Sequence, residues 1–166
     1  MKLIKFFPLA IACAAFLSSC HSSKKMSTVQ RFHKEAKCEI KTAKIRLHSD
    51  TVRMVYPEIA MFDFNSSVLK PDANRSLKGV SALLSKYDNI NFIINGYTDN
   101  IGTEQVNNTL SAKRAESVRQ LFESNGVSNT RMQTNGMGAA NPVSSNETEE
   151  GRQANRRVEL LLFERK

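Results

Sequence analysis

Asn91-Phe92-Ile93-Ile94-Asn95-Gly96-Tyr97-Thr98-Asp99-Asn100-Ile101-Gly102 is the stretch whose reading decides the fold. Asn91 to Thr98 reads as a buried strand, with Phe92, Ile93 and Ile94 in unbroken succession at its centre. Asn100-Ile101-Gly102 has the residue types of a turn. The apolar period then changes, and Glu104 to Ser124 reads as a long helix stopped by Asn125-Gly126. A strand that feeds a helix through a short turn belongs to an α/β arrangement, where ligands commonly bind at the strand's end. Asp99 stands at that end.

The long helix carries a second signal. At about 100° per residue, with Val106 as zero, Leu110 falls near 40°, Leu121 near 60° and Val118 near 120°. Arg114 falls at about 80°, inside this apolar stripe, and Asn107 beside it at about 100°. An arginine on an apolar face needs a partner, because an unpaired buried charge costs several kcal/mol. A planar guanidinium suits an anionic ligand, but an internal acid serves as well. From pattern alone three readings stand: Asp99 and Arg114 form a plain salt bridge, Asp99 is a turn residue, or the two share a ligand site.

Outward from this unit, Arg131 to Met137 reads as a strand ended by glycines, and Asn141-Pro142 opens a loop. Asn146 with Glu149 three residues later resembles a capping box for a short helix ending near Ala154. Arg157 to Phe163 is the last strand. On the other side, Pro71-Asp72 opens a helix with Ala73, Leu77, Val80 and Leu84 at helical spacing. Lys44–Leu47 and Thr51–Tyr56 alternate around Ser49-Asp50 and suggest a hairpin. Pro57 interrupts that run, and Ile59 to Phe64 is the next strand candidate. The expected class is α/β in an α+β arrangement: one mixed sheet, two main helices on one face, and a short helix before the last strand.

The first residues are of another kind. Lys2 and Lys5 precede an apolar run from Phe6 to Leu17, followed by Leu17-Ser18-Ser19-Cys20. This is the layout of a secretory signal, and the run is too short to span a bilayer. Residues 1–19 are expected to be the signal peptide, 20–42 a lipidated N-terminus with a basic tether, and 43–166 the domain. Val29, Phe32, Ala36, Ile40 and Ala43 also suit a helix within the tether. With Cys13 in the signal and Cys20 at its end, Cys38 is left without a partner for an internal disulfide.

The formal charge of +8 does not point to nucleic acid once it is located. Residues 20–56 hold nine basic and three acidic side chains, whereas residues 57–166 hold 13 of each. The domain itself carries no electrostatic footprint for DNA or RNA. The basic stretch reads either as a solvated tether or as a contact for anionic head groups. Residues 57–166 contain no His, Cys or Trp, which removes Ser-His-Asp triads, Cys/His nucleophile pairs and His-rich zinc sites. No glycine-rich phosphate loop follows a strand. No cofactor, no metal and no catalytic residue are expected, and an enzyme is the weaker class.

Five blocks carry a family resemblance: Phe62-Asp63-Phe64-Asn65-Ser66; Gly96 to Gly102; Asn107 through Leu110-Ser111 to Arg114-Ala115; Gly136-Met137-Gly138; and Gly151 to Glu159, which contains Asn155-Arg156-Arg157-Val158. In this order and spacing, from about Val55 to Phe163, the sequence resembles the OmpA-like C-terminal domain family, which includes the peptidoglycan-associated lipoproteins. The resemblance implies a βαβαββ mixed sheet and noncovalent binding of peptidoglycan through the meso-diaminopimelate residue of its stem peptide. In the matching positions Asp99 would take the ligand's ammonium and Arg114 its carboxylate. Asn65 stands where many relatives carry Asp and would supply hydrogen bonds, while Thr98, Asn107 and Leu110 fill matching wall positions. Arg156 matches a further pocket cation, and Arg157 is read as fixing the last strand. Leu17 to Cys20 resembles the lipobox of bacterial lipoproteins, which implies that Cys20 is acylated, palmitate included. His21 in the next position implies the outer membrane, with the domain facing the periplasm. The resemblance thus implies an outer-membrane lipoprotein that ties membrane to wall, with Tol–Pal-type envelope proteins as further partners. The alternatives are a structural subunit of a larger envelope complex and, less favoured, a wall-modifying enzyme.

Overall fold

A computed structural model describes residues 26–165; the expected signal peptide at 1–19 and the expected acylation site Cys20 lie outside the described residues. Five strands form one sheet: β1 (Lys44–His48), β2 (Thr51–Pro57), β3 (Ile90–Tyr97), β4 (Met132–Gly136) and β5 (Arg157–Glu164). Their order is β1-β2-β5-β3-β4. The last strand in sequence is the middle one in space, antiparallel to β2 and β3, while β3 and β4 run parallel. The helices are α1 (Thr28–Glu39), α2 (Glu58–Met61), α3 (Pro71–Lys86), α4 (Glu104–Ser124) and α5 (Glu149–Asn155), with one 3-10 turn at Asn129–Arg131.

Alternation along the strands makes one face of the sheet apolar. Val52, Leu162, Phe92 and Met132 form one row across it, and Met54, Leu160 and Ile94 the next. Against these rows pack Leu77, Val80, Leu83 and Leu84 of α3 and Ala115, Val118 and Phe122 of α4. A third helix joins them, where a tether was expected. In α1, Val29, Phe32 and Ala36 are buried, and Ile40 just after it completes the stripe. Its start is fixed by a capping box of Ser27 and Gln30. Phe32 meets Tyr87 edge-to-face at 5.7 Å, and the Tyr87 hydroxyl donates to Glu35 at 2.6 Å. The described domain therefore includes α1 and does not begin at residue 43, because the stripe at 3–4 residue spacing buries against the core.

Two further expectations are corrected. Ile59 to Phe64 is not a strand: one turn of helix, α2, follows Pro57, and only Phe62 makes a bridge, to Leu69. Pro57 is extended, at φ −65° and ψ 142°, and has no N–H to carry the ladder further; the turn of helix starts at Glu58. The short helix before β5 is capped by Thr148, whose hydroxyl accepts from Gly151 N–H at 3.1 Å, and not by Asn146. The other elements lie within one or two residues of their expected bounds.

The third row of the sheet positions the site. There Tyr56 and Val158 continue into Gly96 and Gly136. A Cβ on Gly96 would lie 2.2 Å from the Ser111 carbonyl oxygen, and one on Gly136 2.6 Å from Ala112 N. The two glycines let the first half of α4 lie directly on the strand ends. That contact carries Asn107 and Arg114 to the upper edge of the sheet, where β3 delivers Thr98 and Asp99.

Candidate functional site

A cleft of about 640 Å³ opens at this edge. Its floor and walls come from four separate places: Glu58 after β2, Phe64 and Asn65 in the following loop, Thr98 to Ile101 after β3, and one side of α4. The segment Glu149–Arg156 closes it. Asn65, Thr98, Asp99, Asn107, Leu110, Arg114 and Arg156 all line it, so the residues singled out in sequence meet in one cavity.

Each is held by local chemistry. Asn65 takes a left-handed backbone conformation, φ 52°, which asparagine tolerates better than most residues. Next to it the Ser66 carbonyl accepts from Arg114 Nε at 2.9 Å. Thr98 N–H donates to the Gly138 carbonyl at 2.8 Å, while its buried hydroxyl has no partner among the described residues. Asp99 uses Oδ1 to accept from Ile101 N–H at 3.0 Å, which shapes the turn. Asn107 Nδ2 donates to the Asp99 carbonyl at 3.4 Å and ties α4 to that turn.

Of the sequence readings, the plain Asp99–Arg114 salt bridge is the one the structure does not bear out. Asp99 does not contact Arg114; its Oδ2 accepts from Arg156 Nη1 at 2.6 Å. Arg114 is instead paired through Nη2 with Glu58, and its guanidinium lies 5.2 Å from the centre of the Phe62 ring. Arg156 also pairs its Nε with Glu58 at 2.9 Å and donates Nη2 to Glu149 at 2.6 Å. Burial pulls the Arg114 guanidinium below its ordinary pKa, partly offset by Glu58. Burial works against the charge of Arg156 as well, yet the hydrogen bonds to Glu149 and Asp99 raise its pKa above the ordinary value. Glu58, Glu149 and Arg152 were not singled out in sequence. Glu58 falls between Pro57 and the run Ile59–Phe64 expected to be a strand, and Glu149 has the sequence role of a cap.

The helix stripe is also rotated from its expected position. The buried residues of α4 are Asn107, Ser111, Arg114, Ala115, Val118 and Phe122, while Val106 is exposed. Arg114 is thus at the edge of the buried arc, on the side that turns to the cleft, and is only 2% exposed. Val106 stands with Phe64 and Ile101 as an exposed apolar rim around a charged floor. Arg157 lies outside the cleft. It stacks 3.7 Å from the Tyr97 ring centre, pairs with Glu159 at 2.5 Å and donates to the Asn155 and Asn141 carbonyls. Among the described residues no group of three or more His, Cys, Asp or Glu could hold a metal ion, and no helix is long and apolar enough to cross a membrane.

The model of the OmpA family matches residues 61–156. The Escherichia coli protein named "Probable lipoprotein YiaD" is 40% identical over 113 residues, covering 68% of this chain and 52% of that protein. The peptidoglycan-binding protein ArfA of Mycobacterium tuberculosis is 40% identical over 101 residues, covering 61% of this chain and 31% of that protein. The chain thus spans about half the length of these curated relatives, or less. Among solved structures, the peptidoglycan-associated lipoprotein from Burkholderia pseudomallei superposes with a TM-score of 0.58 at 30% identity, covering 62% of this chain and 87% of that one.

Proposed function

The chain belongs to the OmpA family, and from that premise we propose that it binds peptidoglycan noncovalently through the cleft at the upper edge of its sheet. The observation that carries the reading is the meeting of Asp99 with two arginines, Arg114 and Arg156, at one cavity mouth. A free end bearing one ammonium and one carboxylate, such as meso-diaminopimelate in a stem peptide, needs that pairing. In this reading Asp99 Oδ2 takes the ammonium and the guanidinium groups of Arg114 and Arg156 take the carboxylate. The partnerless Thr98 hydroxyl and the amides of Asn65 and Asn107 supply the surrounding hydrogen bonds. Leu110 and the rim of Phe64, Ile101 and Val106 cover the aliphatic part. Binding is reversible, and a wall full of repeated sites raises the effective concentration at each cleft.

The reading extends to place. Acylated at Cys20, the protein would sit in the outer membrane with the domain in the periplasm and tie that membrane to the wall. Envelope proteins of the Tol–Pal type would be its further partners. The work is adhesion, without turnover.

Co-sedimentation with purified peptidoglycan tests the site. Asp99→Ala and Arg114→Ala are each expected to lower the bound fraction at least tenfold, about 1.4 kcal/mol or more. Far-ultraviolet circular dichroism reports whether each variant is folded. Two folded variants that sediment like the parent would sink the assignment.

A further inference from the structure

Among the described residues Glu58 is the acid that pairs with both Arg114 and Arg156. One oxygen accepts from Arg114 Nη2, the other is ion-paired with Arg156 Nε at 2.9 Å, and the side chain is only 13% exposed. Arg156 then passes Nη1 to Asp99. The series Arg114, Glu58, Arg156, Asp99 alternates in sign and sums to zero. Glu149 and Arg152 at the lip pair with each other at 2.9 Å and leave that sum unchanged. Without the Glu58 charge, two neighbouring guanidinium groups would face a single carboxylate.

The geometry also gives Arg156 a second position to fill. Its Nη1 occupies the Asp99 oxygen that an incoming ammonium would need, because the other oxygen is engaged by Ile101 N–H. An ammonium must displace that nitrogen. Glu58 and Glu149 hold the same guanidinium by its remaining two nitrogens, so it stays at the mouth when it is displaced.

We propose that Glu58 is a positioning residue that sets the charge selectivity of the cleft: by bridging Arg114 and Arg156 it keeps the cavity neutral and tuned to dipolar end groups over anionic ones. This rests on the wall-binding reading and adds a residue to it. Removing the Glu58 charge makes the cavity net positive, and removing Arg156 makes it net negative. The two changes shift preference in opposite directions, which loss of packing does not do.

The test uses competition against wall sedimentation by three probes. They are a stem tripeptide ending in meso-diaminopimelate, the same peptide with its side-chain ammonium acetylated, and the same peptide with its side-chain carboxylate amidated. The wild-type protein is expected to prefer the first. Glu58→Gln is expected to shift the affinity ratio about tenfold toward the acetylated, anionic probe, and Arg156→Gln about tenfold toward the amidated, cationic one. Glu58→Asp, which keeps the charge on a shorter stem, is expected to retain the wild-type order at lower affinity. Should Glu58→Gln fail to fold, the Arg156→Gln and Glu58→Asp arms still decide. Equal weakening toward all three probes, shifts in the same direction, or no competition by any probe overturns the inference. Absence of wall sedimentation by the wild-type protein instead overturns the wall-binding reading beneath it.

Discussion

Among single residues, Arg114 shows best what a sequence does and does not disclose. Its position on an apolar helix face announced that it needed a partner. The partner's identity was not readable, because Glu58 lies 56 residues away and meets it only once β2 has paired with β5 and α4 has packed on β3 and β4. Asp99 was recognisable as a strand-end acid, but its pairing with Arg156 depends on β5 being the central strand. Arg157 was read as fixing the last strand, and its contacts with Glu159, Asn155 and Asn141 are of that kind. Glu159 gives a pH dependence independent of the cleft. Burial would raise its carboxyl pKa, but hydrogen bonds from Arg53 and Arg157 outweigh it, and the carboxyl stays below the ordinary value of 4.5. The unfolded chain therefore takes up this proton more readily than the folded one. The stabilisation is present above pH 4.5 and drains away as pH falls through the lowered folded value. Glu159→Gln is expected to flatten the fall in stability below that pH, as read by urea unfolding at a series of pH values. A parallel slope in parent and variant would show that Glu159 does not contribute.

At the scale of elements, periodicity revealed most of the architecture. The α3 and α4 helices and the β1–β2 hairpin, with its loop at Ser49-Asp50, lie where the apolar spacing put them. The misread elements are those whose fate depends on distant partners. The one turn of α2 is too short to show a period, and its four residues look no less like a strand. In α1 the period was visible, but nothing local told whether the stripe would find a surface. The surface is supplied by α3, β1 and β5, and Ile40 reaches Gly79, where a Cβ would lie 3.1 Å from its Cδ1. That glycine weakens the helix in isolation and makes room for α1 in the fold. Phe32 has no exposure, so Phe32→Ala is expected to cost about 3–5 kcal/mol in urea unfolding. A cost below about 1 kcal/mol would mean that α1 is an appendage and not part of the cooperative core.

On the scale of the whole molecule, the sheet has two ends with different tasks. The cleft lies beyond the last residues of β2 and β3 and the first of β5. The described chain enters at the opposite end: Thr28 Oγ1 donates to Glu164 at 2.9 Å, and Asn89 Nδ2 donates to Thr28 Oγ1 at 3.3 Å. Eight residues of β3 at about 3.3 Å each separate the two ends by about 26 Å. With α1 docked, the proposed tether would run only from Cys20 to Thr28, a length of at most about 26 Å against the roughly 70 Å of a segment reaching residue 42. With the proposed anchor at Cys20, the cleft would reach on the order of 50 Å from the membrane surface. Tether length then becomes limiting in the cell and irrelevant in solution. Deleting Ser22 to Lys25 removes about 13 Å of reach. It is expected to reduce the protein recovered with the wall when cells are cross-linked, and to leave sedimentation of the purified protein with purified wall unchanged. Inserting ten Gly/Ser residues at the same place should restore cross-linking to the deletion variant, since the added chain supplies length without contacts. Cys20→Ser, which removes the proposed anchor, should make cross-linking insensitive to both changes. Equal cross-linking for the parent and the deletion variant, with Cys20 intact, would show that the spacing between membrane and wall is not set by this segment.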